Sequence, residues 1–166
     1  MSHSAELIQH IPRLRRYARA LVRDASRADD LVQDTLERAL AKLDLWRPES
    51  DLRAWLFTLM HNLFVNQLRS AGNQSLCELD EANDVPVSGG QIEALAVRDI
   101  QAALARLPDE QREVMLLVGL EQFAYADAAR ILGVPVGTVM SRLSRARERM
   151  RQLLEGNQVT KLQIVK

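Results

Sequence analysis

This chain of 166 residues has one cysteine, 4% aromatic residues, and equal numbers of basic and acidic side chains, 22 of each. The lone Cys77 excludes an internal disulfide framework. Three scattered histidines beside it give no zinc spacing, so no metal is expected. No apolar run reaches the roughly 18 residues of a membrane span. The opening Met1-Ser-His-Ser-Ala-Glu6 lacks the basic-then-apolar pattern of a secretory signal, so a cytoplasmic location is expected. There is no nucleophile–base set and no phosphate-cradling glycine loop, so neither an enzyme nor a cofactor is expected and no catalytic residue is assigned. With few aromatics and abundant Ala, Leu and Arg, the composition favours helix over strand. Only Val134-Pro-Val136 is locally ambiguous.

A free-standing DNA binder is usually basic overall, and this chain is not. Its charge is unevenly placed. Residues 1–70 carry eleven basic and nine acidic side chains, 71–91 none and four, and 92–166 eleven and nine. Five arginines and one acid, Glu148, lie between Gly137 and Leu154.

Apolar spacing predicts two helical lobes. In the first, Leu7, Ile8, Ile11, Leu14, Ala18, Leu21 and Val22 form one stripe. Ser26-Arg-Ala-Asp29 reads as a capping box ahead of a second, Leu31 to Leu43. Pro48 breaks the following loop, and Asp51 caps a third helix with Leu52, Trp55, Leu56, Leu59, Met60, Leu63, Phe64 and Leu68 inward. Residues 71–91, rich in Ser, Gly and acids, read as a linker. Ile92, Leu95, Ala96, Ile100, Ala103, Leu104 and Leu107 open the second lobe, and Pro108 with Asp109 and Glu110 starts its next helix. Gly156 is the expected stop of the last helix, leaving 156–166 as a tail.

Tyr125 to Arg147 carries the most information. Ala129 is small where two helices must touch, Gly133 suits a left-handed turn, and Val139, Leu143, Ala146 and Met150 recur at helical spacing. Met140, Ser141, Arg142, Ser144, Arg145, Arg147 and Arg149 then face outward. Arginine forks match guanine edges or phosphates. The plainer alternative is a solvated arginine-rich face.

At this point the chain resembles an extracytoplasmic-function (ECF) sigma factor of the sigma-70 family, over nearly its whole length. Leu107-Pro-Asp-Glu-Gln-Arg-Glu-Val114 through Arg147 is similar to sigma region 4, and Asp29-Asp-Leu-Val-Gln-Asp-Thr-Leu-Glu-Arg-Ala-Leu40 to region 2.2. Leu52-Arg-Ala-Trp-Leu-Phe-Thr-Leu-Met-His-Asn62 resembles the promoter-melting helix. The resemblance implies an all-α protein of two small domains: region 2 over 1–70, a flexible linker over 71–91, and a region 4 helix-turn-helix over 92–155. It implies binding to the RNA polymerase core, at the β′ clamp helices and β flap, to promoter DNA, and to an anti-sigma factor. Asp30, Leu31, Gln33, Asp34, Glu37 and Arg38 are implied at the clamp. Arg47, Arg53, Asn62, Asn66 and Arg69 are implied at the −10 element, with Asn62 meeting a flipped base. Thr138, Met140, Ser141, Arg142, Ser144, Arg145, Arg147 and Arg149 are implied at the −35 element.

Thr58, Met60 and His61 depart from the usual pattern, and Trp46 has the option of stacking on DNA. Neutral charge predicts weak DNA binding by the isolated protein at physiological salt. Two further readings stand beside this one: a sigma-like mimic that sequesters an anti-sigma factor, and a dimeric helix-turn-helix repressor. The first lobe and the lack of an obvious dimer helix disfavour the repressor.

Overall fold

A computed structural model describes residues 3–72 and 91–164, with side chains placed for 3–71 and 95–156. The expected acidic linker and Cys77 fall almost wholly outside the described residues. Among the described residues seven α-helices follow one another and there is no strand.

The first lobe consists of α1 (His3–Val22), α2 (Ala25–Ala41) and α3 (Leu52–Gly72). Arg23 takes a left-handed φ of 65° between α1 and α2, and Asp24 then caps α2 by accepting from the Ser26 and Arg27 amides. The cap is therefore Asp24, not the expected Ser26 box: an Asx side chain two residues earlier already meets the orphan N–H groups. A 3-10 turn at Leu43–Leu45 and a loop closed by Ser50 bonding to the Arg47 carbonyl lead to α3. Asp51 accepts from the Arg53 amide at 3.0 Å, as an N-cap should. Leu14, Leu21, Leu31, Leu56, Phe57 and Met60 fill the centre. Thr35, also fully buried, satisfies its hydroxyl on the Leu31 carbonyl.

The second lobe has α4 (Gln91–Ala105), α5 (Asp109–Met115), α6 (Tyr125–Leu132) and α7 (Val136–Ile164). Pro108 sits at the cap rather than inside α5. After α5 the backbone widens into a π turn over Leu116–Leu120, and Gln122 takes a φ of 59°. That reversal aims Glu121 and Phe123 toward the first lobe. The last helix runs through Gly156 to Ile164, so Gly156 is no stop. Its φ is not left-handed, and a single helical glycine costs only about 1 kcal/mol against alanine.

Several expected core positions are exposed: Ile8, Leu40, Leu68, Leu95 and Ile100. Each lies at the edge of its stripe or, in α4, on turns ahead of the packed end at Ala103, Leu104 and Leu107. Trp46 is buried edge-on to the His3 ring, which removes it from any stacking role on DNA.

The lobes pack together, and one continuous apolar core runs through both. Phe57 stands edge-to-face with Tyr17 at 5.0 Å and with Phe123 of the other lobe at 5.3 Å. Arg112 is the polar counterpart. Its guanidinium donates to the Leu104 and Leu107 carbonyls at the end of α4, to the Leu21 carbonyl at the end of α1, and to Asp109. A fixed cation thus serves carbonyls at two helix C-termini.

Candidate nucleic-acid interface

The helix-turn-helix is built as its residues require. Gly133 has φ 66° and ψ 35°, and its amide bonds back to the Ala129 carbonyl. Only glycine holds this left-handed cap without strain. The Val134 amide shares that acceptor, and Pro135 offers its carbonyl to Thr138 and Val139 to start α7. Val139, Leu143 and Ala146 are buried, which fixes the rotation of α7 about its axis.

The opposite face is open. Met140, Ser141, Ser144, Arg145, Arg147 and Arg149 are exposed. Arg145, Arg147 and Arg149 make no ion pair among the described residues. Two expected readers are otherwise engaged. Arg142 is half-buried and lies 3.7 Å from Glu110, and the Ser141 hydroxyl donates to the Thr138 carbonyl. Thr138 is half-buried. A groove of about 520 Å³ runs along this face, with Tyr125, Met140, Ser144, Arg147 and Arg151 on its walls. Arg151 is held by Glu148 and Glu155, which leaves Arg147 as the groove's free cation among the described residues.

In the first lobe, Asn62, Asn66 and Arg69 are exposed and spaced to share one face of α3. Arg47 is exposed in the preceding loop. Arg53 is placed differently: it donates to the Glu121 carbonyl at 3.0 Å and lies 4.0 Å over the Phe123 ring. On α2, Asp30, Gln33, Asp34, Glu37 and Arg38 are exposed, with Gln33 reaching Glu37. Leu31 is fully buried and is removed from the implied clamp surface. It lies one position from Asp30, about 100° round the helix, which turns it into the core. Leu40 is the exposed leucine that shares the Gln33–Glu37 face.

Sequence reasoning missed the seam residues. His61 Nδ1 and Glu113 Oε1 lie 2.7 Å apart, both largely buried, which gives the atypical histidine a structural partner. Glu121 is fully buried and accepts from Arg16 at 3.1 Å. Burial, then Glu113 and Glu121, push the enclosed Tyr17 phenol well above its usual range. No local periodicity signals pairs this far apart in the chain.

Among the described residues there is no group of His, Cys, Asp and Glu that could hold a metal, and no helix long and apolar enough to cross a membrane.

Residues 7–61 match the family described as the sigma2 domain of PhyR, and residues 98–150 the one described as sigma-70, region 4. The ECF RNA polymerase sigma factor EcfG of Rhodopseudomonas palustris strain TIE-1 is 43% identical over 150 residues, covering 90% of this chain and 83% of that protein. The ECF RNA polymerase sigma factor SigM of Mycobacterium tuberculosis H37Rv is 37% identical over 147 residues, covering 88% and 74%. Among solved structures, the sigma factor RpoE in complex with the anti-sigma factor NepR, from Bartonella quintana, matches with a TM-score of 0.79 and 39% identity. That match covers 91% of this chain and 95% of RpoE.

Proposed function

This chain belongs to the ECF RNA polymerase sigma factors, and we propose that it divides promoter recognition between its lobes as a non-catalytic adaptor in the cytoplasm. The observation that carries this is the set of exposed, unpaired arginines, Arg145, Arg147 and Arg149, on a helix held by the Gly133 turn. Arg145, with Met140 and Ser144, reads base edges of the −35 element in the major groove, and Arg147 and Arg149 hold phosphates. Arg142, tied to Glu110, orients the helix instead. The first lobe works on the −10 element through the Asn62, Asn66 and Arg69 face, with Arg47 at its border. The α2 face of Asp30, Gln33, Asp34, Glu37 and Arg38 docks on the basic clamp helices, with Leu40 in place of Leu31 as apolar anchor. Residues 1–70 and 92–155 act as the two functional units, and 71–91 connects them.

The packed lobes must part for this. A compact chain of this length has a radius of gyration of about 15 Å. Elements centred about 25 base pairs apart are separated by about 85 Å. The 71–91 segment bridges at most about 75 Å when extended, and the lobes themselves supply the rest.

Reconstitution with core polymerase tests the assignment. The wild-type protein is expected to give specific run-off transcripts. Arg145→Ala should lower promoter affinity by about 1–3 kcal/mol with core binding intact; unchanged affinity and selectivity would remove it from the reading face. Asn62→Ala is expected to keep core binding yet reduce permanganate reactivity of the opened strand, and wild-type reactivity would refute its role. The NepR-bound RpoE structure supports an anti-sigma partner for this chain as well. A mimic that captures an anti-sigma factor without reading DNA draws on the PhyR match of residues 7–61. The 43% identity to an RNA polymerase sigma factor and the free arginines weigh against it, and specific transcripts would exclude it.

A further inference from the structure

At the seam between the lobes, three arginines of the first lobe converge on one cavity of about 390 Å³, walled on the other side by Leu120, Glu121 and Gln122. Arg13 and Arg16 share a face of α1, and Arg53 comes from the first turn of α3. Like charges gather here against their mutual repulsion. The positive field is felt by His10, whose imidazole is held below its usual range by burial and by Arg13 and Arg53 nearby, against the opposing pull of Asp51 and Glu6. The acid on the cavity wall is Glu121. Its side chain is fully buried; one oxygen takes the Arg16 guanidinium at 3.1 Å, and the other, buried too, has no hydrogen-bond partner. Its own carbonyl takes Arg53. Three guanidinium groups thus face one carboxylate, whose side chain reaches only Arg16; their donor forks are better matched by a phosphate with more acceptor oxygens.

We propose that Arg13, Arg16 and Arg53 form a phosphate-binding site for the single strand of the opened promoter, and that Glu121 occupies it as an internal phosphate mimic whenever the lobes are closed. This rests on the reading that the first lobe handles the −10 element. DNA and lobe closure then compete for the same guanidinium groups. Arg53 does double duty: in the closed chain it is spent on Phe123 and Glu121, and in the open one it is released to the strand. Arg13 and Arg16, which lie on α1 outside the melting-helix motif, join the DNA-binding residues.

The test measures binding of a fluorescent mixed-sequence single-stranded DNA of about 15 nucleotides to the full chain over a salt series, with solution scattering alongside. Glu121→Gln keeps the side-chain shape and is expected to tighten binding about tenfold and steepen the salt slope by up to about 2, as three more phosphates are neutralised at about 0.7 each. Asp44→Asn, a matched loss of one surface acid, should change affinity less than about twofold by the same screening argument. Adding Arg13→Ala and Arg16→Ala, both at exposed positions, to Glu121→Gln should abolish the gain. Inorganic phosphate should compete only weakly, since it lacks the strand's multiple charges. Saturating DNA should raise the radius of gyration of the wild-type chain. Equal gains from Glu121→Gln and Asp44→Asn, a gain that survives loss of both arginines, or DNA bound with the chain still compact would each overturn the proposal. Because the wild-type protein is scored separately for specific transcripts with core polymerase, failure here with transcription intact sinks this site alone. Failure of transcription sinks the functional reading beneath it.

Discussion

Arg112→Ala is expected to lower the stability of the free chain by about 3–5 kcal/mol, because several buried acceptors lose their donor at once. The residue is 9% exposed. Its removal strands the carbonyls of Leu21 and Leu107 and leaves Leu104 only the Leu107 amide, in two helix ends that face each other across the seam. Each unsatisfied acceptor costs about 1–3 kcal/mol, discounted where water enters. Lysine should recover little, since one ammonium on a flexible stem cannot reach carbonyls that a planar fork serves from several sides. Urea titration followed by circular dichroism measures this. A loss under 1 kcal/mol would show that the carbonyls find water at no expense, and that Arg112 is not the tie between α1 and α4.

Phe57→Ala should be comparably severe, about 3–5 kcal/mol for a fully buried phenyl ring. The ring lies between Tyr17 and Phe123, so its loss opens a cavity against both lobes at once. Phe57→Leu keeps most of the volume and loses the edge-to-face contacts, and should cost less, about 1–2 kcal/mol. The diagnostic is the ratio between the two variants in the same titration. If leucine is as damaging as alanine, aromatic geometry and not volume holds the seam.

Most of the fold was legible because its signals are local. Apolar recurrence at three and four marked the helices, Asp51 and Pro108 marked starts, and Gly133 marked the left-handed turn that the backbone adopts. Edges of stripes were harder. Leu31 and Leu40 both sit on the apolar run of α2, yet one is at the core and the other faces outward. A helix presents a graded margin there, and only the neighbours decide. The stop read at Gly156 failed because a glycine ends a helix when its φ turns positive, not by its presence. The −35 face was legible as a set, but not the ion pair of Arg142 with Glu110, which lies 32 positions earlier. Still less visible was the seam. Arg16 meets Glu121 across 105 positions and Arg53 meets it across 68. Each of these residues read alone is an ordinary charged helix or loop position.

Both indoles of the chain, Trp46 and Trp55, lie in the first lobe, the former enclosed and the latter partly so. The second lobe is therefore dark in tryptophan emission. Unlabelled protein thus carries a built-in optical probe confined to one half of the molecule, which reports the other half only through the shared core.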